Sequence, residues 1–181
     1  MIKTPADVYQ DPESNTIKID KNAFLRPLVE GDVTQKYADG INRPEVAKFL
    51  VGKNKSRETV QTVTSFVKEN RESGNSIIFG LFIDGNHCGN IRLHDIADKN
   101  AWMGIAIFGK NLTGKGWGSK AIKATANAVF KTIGIENIFA GIDPENIASI
   151  KAFQNAGFVK FVGQAPNGVP NAGNIWVCSA G

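Results

Sequence analysis

The sequence predicts an α+β fold: a single domain with a central mixed, mostly antiparallel sheet flanked by helices. Three observations point to it. Two apolar runs around Asp84-Gly85, within residues 76–93, have the form of a β-hairpin, because that dipeptide suits a tight turn between antiparallel strands. From about residue 101 the pattern becomes strand, helix, strand, helix, strand, which makes the sheet mixed. The 181 residues suffice for one domain with a real core and are too few for two comfortable ones.

Residues 1–16 are polar and hold two prolines, a loose lead-in; the domain is expected over 17–181. Residues 23–28 (Ala-Phe-Leu-Arg-Pro-Leu) read as a strand. Asp32 is a candidate cap for a short helix to about Ala38. Pro44 stands at a first helical position before residues 45–50. Ser56 is the expected start of a longer helix, in which Val60, Val63, Phe66 and Val67 share one face and which Gly74 ends. The hairpin follows, then a third strand over 101–108. A helix from Ser119 presents Ile122, Ala126, Val129 and Ile133 at helical intervals. Residues 136–142 read as a strand. Residues 143–146 (Asp-Pro-Glu-Asn) cap a helix to about Asn155, ended by Gly157. Residues 158–162 and 175–178 are closing strands. There is no internal repeat.

Composition excludes several classes. No stretch approaches the roughly 20 apolar residues of a membrane span. The first residues lack the apolar core of a signal peptide. Two cysteines, Cys88 and Cys178, suggest neither a disulfide framework nor a zinc site, so a reducing, cytoplasmic setting and no metal are expected. The net charge of +4 is mild and scattered. It favours approach of an anionic cofactor, and without an arginine-rich run it does not indicate nucleic acid.

Chemistry concentrates in residues 109–118, Gly-Lys-Asn-Leu-Thr-Gly-Lys-Gly-Trp-Gly. They lie between an apolar strand and a helix. Glycines at 114, 116 and 118 leave backbone N–H groups uncovered at a helix N-terminus, a cradle for phosphate. A dinucleotide fingerprint fails because its third glycine would be Ser119. A P-loop fails because Gly116 replaces the metal-binding hydroxyl, and too little chain follows for several parallel units. Alone, the run is equally a surface turn.

A second cluster lies at residues 146–158, Asn-Ile-Ala-Ser-Ile-Lys-Ala-Phe-Gln-Asn-Ala-Gly-Phe. With both clusters in this order, the chain resembles the GNAT acetyltransferase superfamily, in particular its ribosomal-protein-alanine N-acetyltransferase-like branch. The resemblance covers about residues 23–162, and residues 24–28 and 43–46 (Arg-Pro-Glu-Val) share in it. It implies an acetyl-CoA site without metal. The family's phosphate motif falls on Thr113 to Gly118: Gly116 and Gly118 match, while Thr113 departs at the first position. Backbone N–H groups from Gly114, Lys115, Gly116, Trp117, Gly118 and Ser119 would hold the pyrophosphate, with Lys115 and Lys120 as candidates to add charge. Asn146 matches the asparagine that bonds the pantetheine arm, a role compatible with capping the helix. The backbone near Ala106, Ile107 and Phe108 would bind the pantetheine amides like an added strand, and one N–H would polarise the thioester carbonyl.

The implied reaction is direct attack of an amine on the acetyl thioester. It needs a neutral amine, donors for the developing oxyanion and a proton for the thiolate. Phe153 stands where many members carry a tyrosine acid, which leaves Ser149 as the nearest hydroxyl. Trp102 stands where many carry a glutamate, which leaves His94 and Asp95 as candidate bases, with Glu30 and Asp143 as alternatives. The acceptor is a primary amine: a protein N-terminus, an amino sugar or antibiotic, or a small amine. The absence of acidic residues over 164–174 disfavours polyamines. Dimers are common in this branch. The departures at Phe153 and Trp102 also motivate an idle CoA-binding sensor or subunit.

Overall fold

The computed structural model describes residues 2–50, 56–112, 114–166 and 174–181. Residues 2–16 are not a loose lead-in. Thr4 caps helix α1 (Pro5–Gln10) in a reciprocal box with Asp7, with proline at the first helical turn. Val8 is buried in the core, and the Tyr9 hydroxyl accepts the Ile78 N–H at 2.7 Å. A short strand, β1 (Ile17–Asp20), follows and lengthens the sheet by one edge strand.

Strand β2 (Ala23–Pro27) leads into a single 3-10 turn, Glu30–Asp32. Asp32 does not cap the next helix. Its carboxylate accepts two bonds from Arg26, at 2.6 and 2.8 Å, and one from the Val29 N–H. Thr34 caps α2 (Gln35–Ile41) instead. Helix α3 (Pro44–Ala47) starts on its proline and is shorter than its apolar pattern suggests. Thr59, not Ser56, caps α4 (Val60–Glu72), because the box with Thr62 forms three residues later.

The hairpin is β3 (Ile77–Ile83) and β4 (Asn86–Ala97), and Asp84 and Gly85 both adopt positive φ at its turn. Then come β5 (Asn100–Ile107), α5 (Trp117–Thr132), β6 (Asn137–Gly141) and α6 (Ile147–Asn155). The closing strands are β7, only Val159–Lys160, and β8 (Ile175–Ser179).

Among the described residues, eight strands form one sheet in the order β1-β2-β3-β4-β5-β6-β8-β7. Every pairing is antiparallel except β5 with β6. One face buries Leu25, Phe79, Leu81, Ile91, Leu93, Met103, Ile138 and Ala140 against α1, α5 and α6. On the other face, α2 and α4 cover Leu28, Ile78, Phe82 and Phe108. A separate cluster of Trp102, Phe139, Ala165 and Ile175 covers the β6–β8 side of that face.

Candidate active site

The parallel pair β5 and β6 holds together only from Asn100↔Asn137 to Trp102↔Phe139. Beyond Trp102, β5 continues for five residues paired with β4 alone. The sheet therefore opens into a gap at the carboxyl ends of two parallel strands, where open sheets receive ligands. Phe108 donates its N–H to Cys88 O, at 2.9 Å, on the β4 side. Backbone groups alternate sides along a strand, so of Ala106, Ile107 and Phe108 it is Ile107, with Ile105 before it, whose N–H and C=O face the gap. Ala106 contributes its small side chain to the α2–α4 face.

Both helices that follow these strands start at the gap. The chain turns at Gly109, where any Cβ would collide with Leu112 and Cys88. Gly114 and Gly116 have φ of 76° and the ideal Cβ of Gly114 meets nothing within 4 Å, so both the left-handed backbone and the open space exist there. Gly116 is the N-cap of α5, and Ser119 Oγ turns back to donate to Gly116 O at 2.9 Å. Among the described residues no acceptor meets the N–H groups of Gly118 and Ser119, the orphans that every helix N-terminus leaves. Lys115 and Trp117 complete this turn. Thr113 lies outside the described residues. Lys120 is ion-paired with Asp20 at 3.0 Å and lies over the Trp117 ring, whereas Lys115 is exposed.

Asn146 caps α6 by accepting the Ser149 N–H at 3.1 Å with Oδ1. Its Nδ2 has no partner among the described residues, so capping leaves a donor available. An ideal Cβ on Gly118 would lie 3.4 Å from Ala152 Cβ and 3.6 Å from Ile107 Cδ1. The start of α5, the body of α6 and the end of β5 thus converge. Ser149 Oγ, half-buried in the first turn of α6, makes no hydrogen bond among the described residues. Phe153 is buried edge-on against Phe158, so α6 offers no acid there.

On the α2–α4 face, a strip runs between the two apolar clusters. It consists of Asn90 and Arg92 on β4 and of Gly104 and Ala106 opposite them on β5. Gly104 is exposed and its Cβ would meet nothing within 4 Å, so the strip is a groove beside the gap. Arg92 forms its wall, with Nε donating to Asn70 Oδ1 at 2.6 Å and its guanidinium over Phe66. Desolvation lowers its pKa from the usual arginine value.

Of the candidate bases, His94 and Asp95 stand further along this groove. His94 pairs with Trp102, four strand positions from Ala106, which is about 13 Å. Its Nδ1 lies 2.9 Å from Asp95 Oδ2, and desolvation holds its pKa below the usual imidazole value. Asp95 adopts a φ of 50° at the bend of β4. Glu30 pairs with Arg71 at 2.8 Å, and Asp143 accepts the Glu145 N–H in the turn before α6. Tyr37, on α2, also reaches the groove: its hydroxyl accepts a bond from Asn90. Nothing in the sequence distinguishes it from a core aromatic. Among the described residues no three His, Cys, Asp or Glu side chains form a group able to hold a metal. No described helix is long and apolar enough to cross a membrane.

The splayed sheet, with a glycine-rich helix start and a second helix N-terminus at its mouth, lies where the resemblance read from residues 109–118 and 146–158 implies an acetyl-CoA site. The family model for the acetyltransferase (GNAT) domain matches residues 22–159. The chain belongs to the GNAT acetyltransferase family, and is an acyltransferase by that membership. No curated protein matches it. Among solved structures it is similar to RimL, a ribosomal L7/L12 α-N-protein acetyltransferase in complex with coenzyme A, at 14% identity and a TM-score of 0.76, covering 91% of this chain and 97% of that one. Mycobacterium smegmatis RimJ with CoA-disulfide aligns at 20% identity and a TM-score of 0.68, covering 87% of this chain and 82% of that one. The aminoglycoside acetyltransferase AAC(6')-Ib with coenzyme A aligns at 18% and 0.68, covering 87% and 94%. At these identities the likeness is one of fold.

Proposed function

We propose that this protein transfers the acetyl group of acetyl-CoA to a primary amine by direct attack. The observation that carries the reading is the gap itself: β5 parts from β6 after Trp102, and the unpaired N–H groups of α5 and the free Asn146 amide stand at its mouth. The residues fit the co-substrate. The left-handed glycines and helix start suit a pyrophosphate, where bonds to an ionised group contribute about 1.5–3 kcal/mol each. Ile105 and Ile107 offer strand-like pairing to the pantetheine amides. Acetyl-CoA supplies an activated thioester. The chain supplies position, oxyanion donors and a hydroxyl, Ser149, suited to returning a proton to the leaving sulfur directly or through water. His94 and Asp95 stand at the far end of the acceptor groove, suited to receiving the proton of an ammonium through water.

The acceptor groove favours an amine on a neutral or anionic molecule, a peptide N-terminus or an amino sugar, over a polyamine. Arg92 lines it, and the sequence over 42–59 holds five Lys or Arg against two Glu, Glu45 and Glu58. RimL and AAC(6')-Ib act on a protein N-terminus and an aminoglycoside respectively, both amines. A cytoplasmic location and a homodimer belong to the same proposal. An acceptor screen with thiol detection, using peptides, amino sugars and aminoglycosides, tests it. Amine-dependent thiol release is the expected result. Thermal stabilisation by CoA with no amine accelerating thiol release would favour instead the idle CoA-binding module that Phe153 and Trp102 suggest. No stabilisation by CoA would refute both.

A further inference from the structure

Beside Ala106 a chain of three side chains ends in an unused donor. His87 Nε2 lies 3.1 Å from the Gly89 carbonyl oxygen and 2.7 Å from Asn90 Oδ1. A carbonyl oxygen only accepts, so Nε2 carries the proton and donates to both. This turns the Asn90 amide with its oxygen toward His87, and its nitrogen donates to the Tyr37 hydroxyl oxygen at 2.5 Å. The phenol oxygen receives a bond, and its own proton has no acceptor among the described residues.

The position of that hydroxyl is fixed by packing. Tyr37 is 3% exposed, stacks on Phe108 at 5.0 Å and meets His87 edge-on at 4.8 Å. Gly40, in the same helix, lies so close to Phe108 that a Cβ would come within 2.7 Å of the ring. Helix α2 therefore lies flush on the end of β5. The Tyr37 ring rests on Phe108 and its hydroxyl meets Asn90, the cross-strand partner of Ala106, so the phenol runs along β5 toward Ala106. Alanine at 106 and glycine at 104 leave the space between this hydroxyl and the gap unfilled by side chains.

We propose that Tyr37 is a catalytic hydrogen-bond donor whose O–H meets the acetyl carbonyl oxygen as negative charge develops there. This rests on the acetyltransferase reading above. In the transfer, the acceptor nitrogen forms the new C–N bond and the C–S bond breaks. Its electron pair leaves on sulfur, and the proton lost by nitrogen ends on sulfur. Tyr37 keeps its own proton throughout, since burial raises its pKa well above the ordinary phenol value. The ordered relay from His87 through Asn90 polarises the O–H in the direction of donation. Tyr37 thus adds an oxyanion donor from the acceptor face, while the proton for the sulfur stays with Ser149.

The chain has two tyrosines, so 13Cζ-tyrosine NMR gives two resolvable signals, assigned by Tyr37→Phe. The Tyr37 signal should move on adding acetonyl-CoA, a ketone analogue with a methylene between sulfur and carbonyl, and not on adding CoA; the Tyr9 signal should stay. With an acceptor that the wild type turns over, Tyr37→Phe should lower kcat about 100-fold with KM for acetyl-CoA within about twofold. Asn90→Asp keeps the phenol but gives it a carboxylate to donate to, so it should reproduce the loss, and the double variant should be no slower than the slower single one. An unmoved Tyr37 signal in protein that acetonyl-CoA stabilises thermally, or full kcat in Tyr37→Phe, overturns the proposal while leaving the acetyltransferase reading intact. No stabilisation by either CoA compound overturns both.

Discussion

Asn146 has one observed role, the cap of α6, and one proposed role, a donor to pantetheine, and substitutions divide them. Its Oδ1 caps a nine-residue helix through one bond to the Ser149 N–H, and its Nδ2 is the donor assigned to pantetheine. Asn146→Ala removes both. Loss of an N-cap costs about 1 kcal/mol, which for a domain of this size lowers the melting temperature by about 2–4 °C. Asn146→Ser and Asn146→Asp keep an oxygen for the cap and should leave stability within about 0.5 kcal/mol of the wild type. All three lose the amide donor. A neutral hydrogen bond contributes about 0.5–1.5 kcal/mol, so the Kd for CoA should rise roughly 2- to 13-fold in Ala and Ser alike. Urea denaturation reads the first quantity and isothermal titration with CoA the second. If Asn146→Ser binds CoA as tightly as the wild type, Asn146 is a cap and nothing more, and the placement of pantetheine beside it is wrong.

Gly40→Ala should destabilise the protein by about 1–3 kcal/mol in urea, because its Cβ would overpack a ring already stacked on Tyr37; an unchanged midpoint would contradict the close contact of α2 with β5. Ser149→Ala should lower kcat with little change in CoA affinity, measured by thiol release and calorimetry, and an unchanged rate removes the hydroxyl from the reaction. His87 and His94, the two histidines of the chain, are both held below the usual imidazole pKa of 6.5, chiefly by desolvation. The unfolded imidazoles therefore take up protons first, so their contribution is complete above about pH 6.5 and is lost as pH falls below it. Denaturation at pH 7.5 and 5.5 should show this loss, and His87→Gln with His94→Gln should reduce it; an equal slope in the double variant refutes the assignment.

The order of elements from residue 76 onward was legible because each boundary carries its own chemistry: Asp84-Gly85 at the hairpin, glycines before α5, Asn146 before α6. The turn at Gly114–Ser119 was legible for the same reason, since glycine there answers a backbone requirement. The beginning was misread although its signal was present. Thr4-Pro5 followed by Asp7 is a helix start, but six residues with two buried side chains, Pro5 and Val8, show no periodicity. Two threonines that form their own box outcompeted Ser56 for the start of α4. Asp32 looked like a cap because nothing local reveals that Arg26, a strand away, takes its carboxylate. The acid–base residues were the least legible. His94 and Asp95 are adjacent in sequence to the expected strand end, yet only the β4–β5 register shows how far along the groove they stand. Tyr37 joins the groove through Asn90, fifty-three residues away, a contact that no spacing rule foretells.

In the proposed complex, CoA lies with its pyrophosphate on the start of α5 and its pantetheine in the gap between β5 and β6. Titration of 15N-labelled protein with CoA, followed through the amide resonances, tests it directly. The largest shifts are expected at the N–H groups of Gly116, Gly118, Ser119, Ile105 and Ile107, with the Asn146 side-chain amide moving in step. Saturable binding that shifts amides elsewhere and leaves these unmoved would contradict it.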